Sequence, residues 1–189
     1  MNPSSTIGRH KISTRFTANV RIYYMEYSTN EELTPVYAEF LKTILSNPTF
    51  GGGQMANSSK KLAQFLIDLY SNVRSKFSID DHRHYLFTPR DITNLAFNLL
   101  RYDINEAQSL IETLIYESSR IFKDRLVDID SKMRYDKILY TLLKSHLRYG
   151  EQLKDTFFIS KVAQGQSSLV PGLPPLGRIG KQDFHNMIE

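Results

Sequence analysis

The spacing of apolar positions changes its period near residue 28. From Phe16 to Met25, Phe16, Ala18, Val20, Ile22 and Tyr24 alternate with Thr17, Asn19, Arg21 and Tyr23, and a period of two predicts a strand. One strand cannot bury itself and needs a sheet, yet no second convincing strand run follows. The chain therefore reads as the tail of a larger domain joined to a helical one.

From Thr29 the period becomes helical. Thr29 and Glu32 form a capping box, and Leu33, Val36, Tyr37, Phe40, Leu41 and Ile44 recur at helical spacing up to Pro48. A glycine loop, Gly51 to Gly53 with Asn57, precedes a second helix capped by Ser58, with the stripe Leu62, Phe65, Leu66, Leu69, Val73 and Phe77. The sharpest helix start is Thr88, Pro89, Arg90, Asp91: a Thr cap, Pro in the first position and an acid in the third. It opens a helix with Ile92, Leu95, Ala96, Leu99 and Leu100 on one face. A box at Asp103 and Glu106 predicts a fourth helix through Leu110, Ile111, Leu114, Ile115, Ile121 and Phe122. A fifth is predicted over Ser131–Leu147, burying Ile138, Leu139, Leu142 and Leu143, with Gly150 at or just past the end of the bundle.

Beyond Phe158 the composition turns to Gln, Ser, Gly and Pro. Pro171, Pro174 and Pro175 forbid regular helix, so 160–180 reads as a linker, and 183–189 as the start of another element. The fold class is thus mainly α: a helical domain with one strand of another domain before it.

Composition narrows the function. The chain has 189 residues and no cysteine, which removes disulfides, thiolate zinc sites and thiol nucleophiles and fits a reducing compartment. No apolar run approaches the ~18–20 residues that a spanning helix needs, so no membrane partner is expected. The net charge of +4 suggests an anionic partner, but its distribution is local. Residues 1–25 hold Arg9, Lys11, Arg15 and Arg21 and no acid, while residues 26–189 balance. That is the map of a local anion site, and it speaks against nucleic acid, which needs bases spread over a face.

Candidate chemistry is sparse. The phosphate-cradling pattern G-x-x-x-x-G-K-[ST] is absent from the sequence. Phe65, Leu66, Ile67 and Asp68 resemble a Walker B strand, but Leu69 takes the glutamate position and the surrounding period is helical. His82 and His84 flank the cation Arg83 and have no third ligand nearby, so they read as a polar loop and no metal site is assigned. The tyrosines and phenylalanines fall on helix faces and read as core. Three positions remain: Asn2, Arg15 and Arg90. Asn2 has a plain alternative as a turn residue and Arg15 as a surface residue. Arg90 is more suggestive, because a guanidinium in a first helical turn sits beside free backbone N–H groups and the positive end of the dipole, which together suit phosphate.

Read together, MNPSSTIGRHKISTRF and TPRD resemble the closing part of an AAA+ module. The strings GRHKISTRFT, HYLFTPRDIT, FNLLRYD, SSRIFKDRLVD and PPLGRIGKQDF, in order over nearly the whole chain, resemble the dynein heavy chains, and among them the cytoplasmic class of retrograde intraflagellar transport. The resemblance points to the end of the third module of the motor ring. It implies residues 1–28 as the end of the core subdomain, with a one-strand remnant of its α/β core, 29–159 as the helical lid and 160–189 as the Pro/Gly-rich connector to the next module. It also implies Asn2 as a sensor I residue, Arg15 as an arginine finger acting on a neighbour's nucleotide, and Arg90 as a sensor II residue of the lid.

Both Walker segments lie outside the resemblance, so it implies a non-enzymatic piece of an ATPase microtubule motor. ATP or ADP with magnesium would belong to the intact module, and none is expected on this piece alone. Neighbouring modules, microtubules and dynein subunits are the implied partners, in the cytoplasm, cytoskeleton and cilium or flagellum. The rival reading is a free-standing helical interaction domain whose basic first segment binds an acidic partner.

Overall fold

The computed structural model describes residues 12–23, 25–26, 28–47, 56–102, 104, 106–150, 157–160 and 175–180. In chain order its elements are α1, Thr14–Thr17; α2, Asn30–Leu45; α3, Ser59–Lys76; α4, Pro89–Asn98; α5, Ala107–Ile121; α6, Ile129–Leu147; β1, Phe157–Ser160; and β2, Leu176–Ile179. Short 3-10 turns follow α4 at Leu99–Arg101 and α5 at Lys123–Arg125. The class is mainly α, as the periodicity predicts.

Helix α2 begins at its capping box: the Glu32 N–H donates to the Thr29 hydroxyl at 3.4 Å, and the Thr29 N–H to the Glu32 carboxylate at 2.9 Å. Helix α3 is the centre of the bundle and packs on α2, α4 and α6. It buries Ala63, Ile67 and Tyr70 in addition to the predicted Leu62, Phe65, Leu66, Leu69 and Val73. Neighbours on several sides widen its apolar arc beyond that of a surface helix. Each fully buried side chain of this kind contributes roughly 1.5–3 kcal/mol, so α3 is the energetic spine of the fold. The Walker-B-like run Phe65 to Asp68 lies inside this helix.

Four features differ from the sequence reading. Among the described residues the strand expected over Phe16–Met25 does not form: Ser13 caps the single turn α1, and residues 21–23 and 25–26 are irregular. Phe16, Val20, Ile22, Tyr23 and Met25 are exposed. With no neighbouring strand among the described residues, alternation has no ladder to join there, and local hydrogen bonds such as Ala18 N–H to Thr14 O at 3.0 Å take over. Helix α5 starts at Ala107 with Glu106 as its cap residue, not inside a box with Asp103, which lies outside the described residues. Tyr102 is extended and buried, and Ile104 is buried, so this stretch packs against the bundle before the helix can open.

Two of the differences concern helix ends and the tail. Ser58 precedes α3 without a side-chain cap, because it closes a 3-10 turn and already has helical dihedrals. Helix α6 ends at the left-handed Arg148, with φ 54°, and Gly150 lies just past that end, as expected. The Tyr149 N–H then reaches back to the Leu143 carbonyl at 3.2 Å and its side chain is buried, which holds the turn. In the tail, β2 lies within the stretch read as linker and pairs antiparallel with β1, Phe157 opposite Ile179 and Ser160 opposite Leu176. Four-residue strands are too short to show a period. The hairpin rests on α5: the Phe158 ring lies 4.9 Å from Tyr102 and 4.8 Å from Tyr116, and Arg178 pairs with Glu112 at 2.9 Å.

No residue of α1 is buried. A chain starting at Ser28 is therefore expected to keep cooperative thermal unfolding. A noncooperative, dye-binding species in its place would make the first segment part of the core.

Candidate functional site

Arg90 is the second residue of α4 and is exposed, and among the described residues its guanidinium has no ion-pair or hydrogen-bond partner. The turn that carries it is held from two sides. On one side the Tyr37 hydroxyl, from α2, donates to the Pro89 carbonyl at 2.7 Å and lies 2.8 Å from the Thr93 hydroxyl. Burial raises the Tyr37 phenol above its ordinary value, so it stays a donor at neutral pH.

On the other side is Asp91. One carboxylate oxygen accepts the Thr88 N–H at 2.8 Å, closing the predicted cap, and the other meets Arg125 Nη2 at 2.5 Å. Asp91 is 5% exposed, so this ion pair is mostly desolvated on the acid's side. Arg125 also lies 5.6 Å over the Phe87 ring and donates to the Leu86 carbonyl at 3.4 Å.

His82 and His84 brace the same corner. Their rings each pack 4.8 Å from Tyr85; His84 Nε2 is 3.0 Å from the Arg125 carbonyl and His82 Nε2 is 3.4 Å from Asp128. The Tyr85 hydroxyl accepts the Val127 N–H at 2.9 Å, tying the segment before α4 to the turn before α6. Among the described residues, no group of three or more His, Cys, Asp or Glu is placed to hold a metal ion.

The far end of α4 is fixed by a buried carboxylate. Glu117 of α5 is 2% exposed and accepts from Asn98 Nδ2 at 2.7 Å and from the Tyr102 hydroxyl. Burial first, then the Glu117 charge and hydrogen bond, push the Tyr102 phenol well above its usual value near 10. The fully buried Tyr135 phenol is raised as well, by burial. A phenol raised in the folded state contributes stability that is complete below about pH 10 and is lost as pH rises beyond it. Denaturant unfolding across about pH 9 to 11.5 should therefore show falling stability, with a shallower fall in Tyr102→Phe. An unchanged slope in that variant would contradict the assignment.

Arg15 lies in the one-turn helix α1, exposed, and no hydrogen bond or ion pair joins it to Arg90. It does not precede a strand as the sequence reading had it, because that strand does not form. Asn2 lies outside the described residues. Sequence reasoning missed Arg125, Tyr37 and Glu117. The one available signal was Asp91 itself, since a capping carboxylate that is buried has a second oxygen to satisfy.

A guanidinium exposed on a helix start held from two sides, with no partner among the described residues, fits a phosphate oxygen and can bind it through two parallel N–H donors. The described residues do not fit a magnesium ion, whose carboxylate ligands would have to come from elsewhere. The arrangement can sense an anion, and among these residues it has no partner group for transferring one.

Comparison with known proteins gives a family match over this same region. Residues 37–132 match the family described as dynein heavy chain, ATPase lid domain. A cytoplasmic dynein 2 heavy chain 1 of Tripneustes gratilla is 38% identical over 204 aligned positions, covering 100% of the chain and 5% of the relative. The Homo sapiens protein of that name is 30% identical over 207, again with 100% and 5% covered. A cytoplasmic dynein heavy chain of Saccharomyces cerevisiae is 29% identical over 194, covering 100% of the chain and 4% of the relative. The chain thus spans about a twentieth of the length of these relatives.

Proposed function

Because the chain belongs to the dynein heavy chain family and carries its ATPase lid domain, we propose that it is a regulatory lid coupling nucleotide state to ring conformation in a minus-end-directed, intraflagellar motor. The observation that carries this reading is Arg90: a charged fork left exposed on a helix start that Tyr37 and Arg125 hold rigid. Held in this way, a phosphate contact at Arg90 moves the lid as a body rather than a single side chain. Arg90 reads the nucleotide of its own module, the third of the ring. Arg15 faces the nucleotide of the preceding one, and Asn2 serves as the sensor I residue. ATP or ADP with magnesium is held by the core of the intact module.

The partners in this reading are the neighbouring modules of the same heavy chain, with microtubules and other dynein subunits reached through the parent, in the cytoskeleton of the cytoplasm and cilium. The tail, with β2 seated against α5 through Arg178, leads toward the fourth module. No helix among the described residues is long and apolar enough to cross a membrane.

The chain alone is expected not to hydrolyse ATP, because Arg90 offers a charge without a phosphate cradle or a metal site. Steady-state hydrolysis above a buffer blank, surviving repurification and lost in Arg90→Ala, would contradict this. The rival, a free-standing interaction domain, is separated from it by the parent gene. A P-loop roughly one core subdomain upstream of Met1 supports the lid, and a different upstream domain supports the rival.

A further inference from the structure

We propose that the cleft formed by the first turns of α3 and α5 and the last turn of α6 docks an acidic, amphipathic helical segment of a partner protein. The cleft encloses about 290 Å³. Its floor is apolar, with Leu62, Ile111, Leu114 and Leu147, and its rim carries Lys61 and Arg148. Both rim cations are exposed and neither has an ion-pair partner among the described residues. His146 also lines the cleft, held by Asp68 at 3.0 Å.

The charge is one-sided. Among the described residues no carboxylate lines the cleft; Asp68 is committed to His146 and Gln64, and Glu106, next to Ala107, is not part of the lining. The starts of α3 and α5 add partial positive charge and the end of α6 opposes it, so Lys61 and Arg148 set the sign. A cation pair over an aliphatic floor is complementary to a carboxylate one helical turn from an aliphatic side chain.

The size and openness of the cleft select the kind of occupant. A small molecule binds where most of its surface is enclosed, and this cleft is open to solvent, which suits side chains projecting from a larger surface. Arg148 adds a second indication. Its left-handed backbone is one that glycine adopts without strain and other residues rarely take, and here that position carries a cation at the rim. This inference is independent of the lid reading, since it uses no residue of the Arg90 corner.

The test uses the whole 189-residue chain and a fluorescein-labelled peptide of about 14 residues, with Leu and Glu at helical i, i+3 and i+4 spacing, beside a counterpart with Lys for Glu. Anisotropy should show saturable binding of the Glu peptide, weakening with salt, and at least ~10-fold poorer binding of the Lys peptide. Lys61→Glu with Arg148→Glu should invert the preference. Arg148→Gly removes the charge while relieving the backbone, so it should weaken binding several-fold without lowering the melting temperature. Equal affinity for both peptides, an unchanged preference in the double reversal, or no binding of the Glu peptide up to about 1 mM, a Kd ceiling worth some −4 kcal/mol, would overturn the proposal.

Discussion

Arg90→Ala in the intact motor is expected to lower nucleotide affinity at the module that owns this lid by about ten- to a hundredfold, and to leave the preceding module as it was. A charge-assisted hydrogen bond to phosphate is worth roughly 1.5–3 kcal/mol, which sets that range. The loss should be local because Arg90 is exposed and lends nothing to the core, while Asp91 and Tyr37 still hold the turn. Arg90→Lys keeps the charge but loses the planar fork, so it should recover part of the affinity. Arg15→Ala is the mirror case: affinity should fall at the preceding module and stay largely intact at this one. Module-resolved nucleotide titration of both variants checks the pair. Loss at the same module in both, or in neither, would return the two arginines to ordinary surface positions.

Asp91→Ala should be among the most damaging single changes in the described fold, at about 2–4 kcal/mol, or a melting temperature lower by roughly 5–15 °C. Three losses combine in it. The helix loses its cap partner, worth about 1 kcal/mol; Arg125 loses its counter-ion; and a buried position is left underfilled. Arg125 is 36% exposed and regains part of its hydration, which places the figure below that of a fully buried pair. Thermal melts of Asp91→Ala against Asp91→Asn separate the charge from the cap, since the amide oxygen can still accept the Thr88 N–H. A cost below about 0.5 kcal/mol in Asp91→Ala would show that the corner is not rigid.

The helices were legible wherever periodicity and caps agreed. Thr29 with Glu32, and Thr88 with Pro89 and Asp91, mark starts that the structure keeps to the residue, and the stripes of α2 to α6 hold most of the core. Local pattern failed where the outcome depends on a distant partner. The alternation from Phe16 to Met25 is genuine, but a strand is a pairwise structure, and with no neighbour among the described residues, residues 16–23 and 25 make a turn and irregular chain. The β1–β2 hairpin is the reverse case, since Phe157 and Ile179 lie far apart in sequence and meet through registers no window can see. Val36 shows a milder limit: it keeps the period of α2 yet stays 63% exposed, because the stripe is wider than the surface it meets.

The place of Arg90 in the first turn of α4 was legible from the cap made by Thr88, Pro89 and Asp91. Its supports were not. Arg125 lies 34 residues from Asp91 and Tyr37 lies 52 from Pro89, so both are consequences of the bundle's packing rather than of any motif. Arg15 carried a role only through resemblance, and its short helix adds neither a partner nor a fixed orientation.

The most direct measurement is the change in distance between this lid and the core of its own module when ADP replaces ATP in the intact heavy chain. This segment has no cysteine, so a cysteine introduced at the exposed Lys137 of α6 takes one dye, with the second on the core. Energy transfer should shift between the two nucleotides in the native protein and stay fixed in Arg90→Ala, even at concentrations that saturate the weakened site. A full shift in Arg90→Ala at saturation would contradict the account, because nucleotide would then move the lid without the residue proposed to sense it.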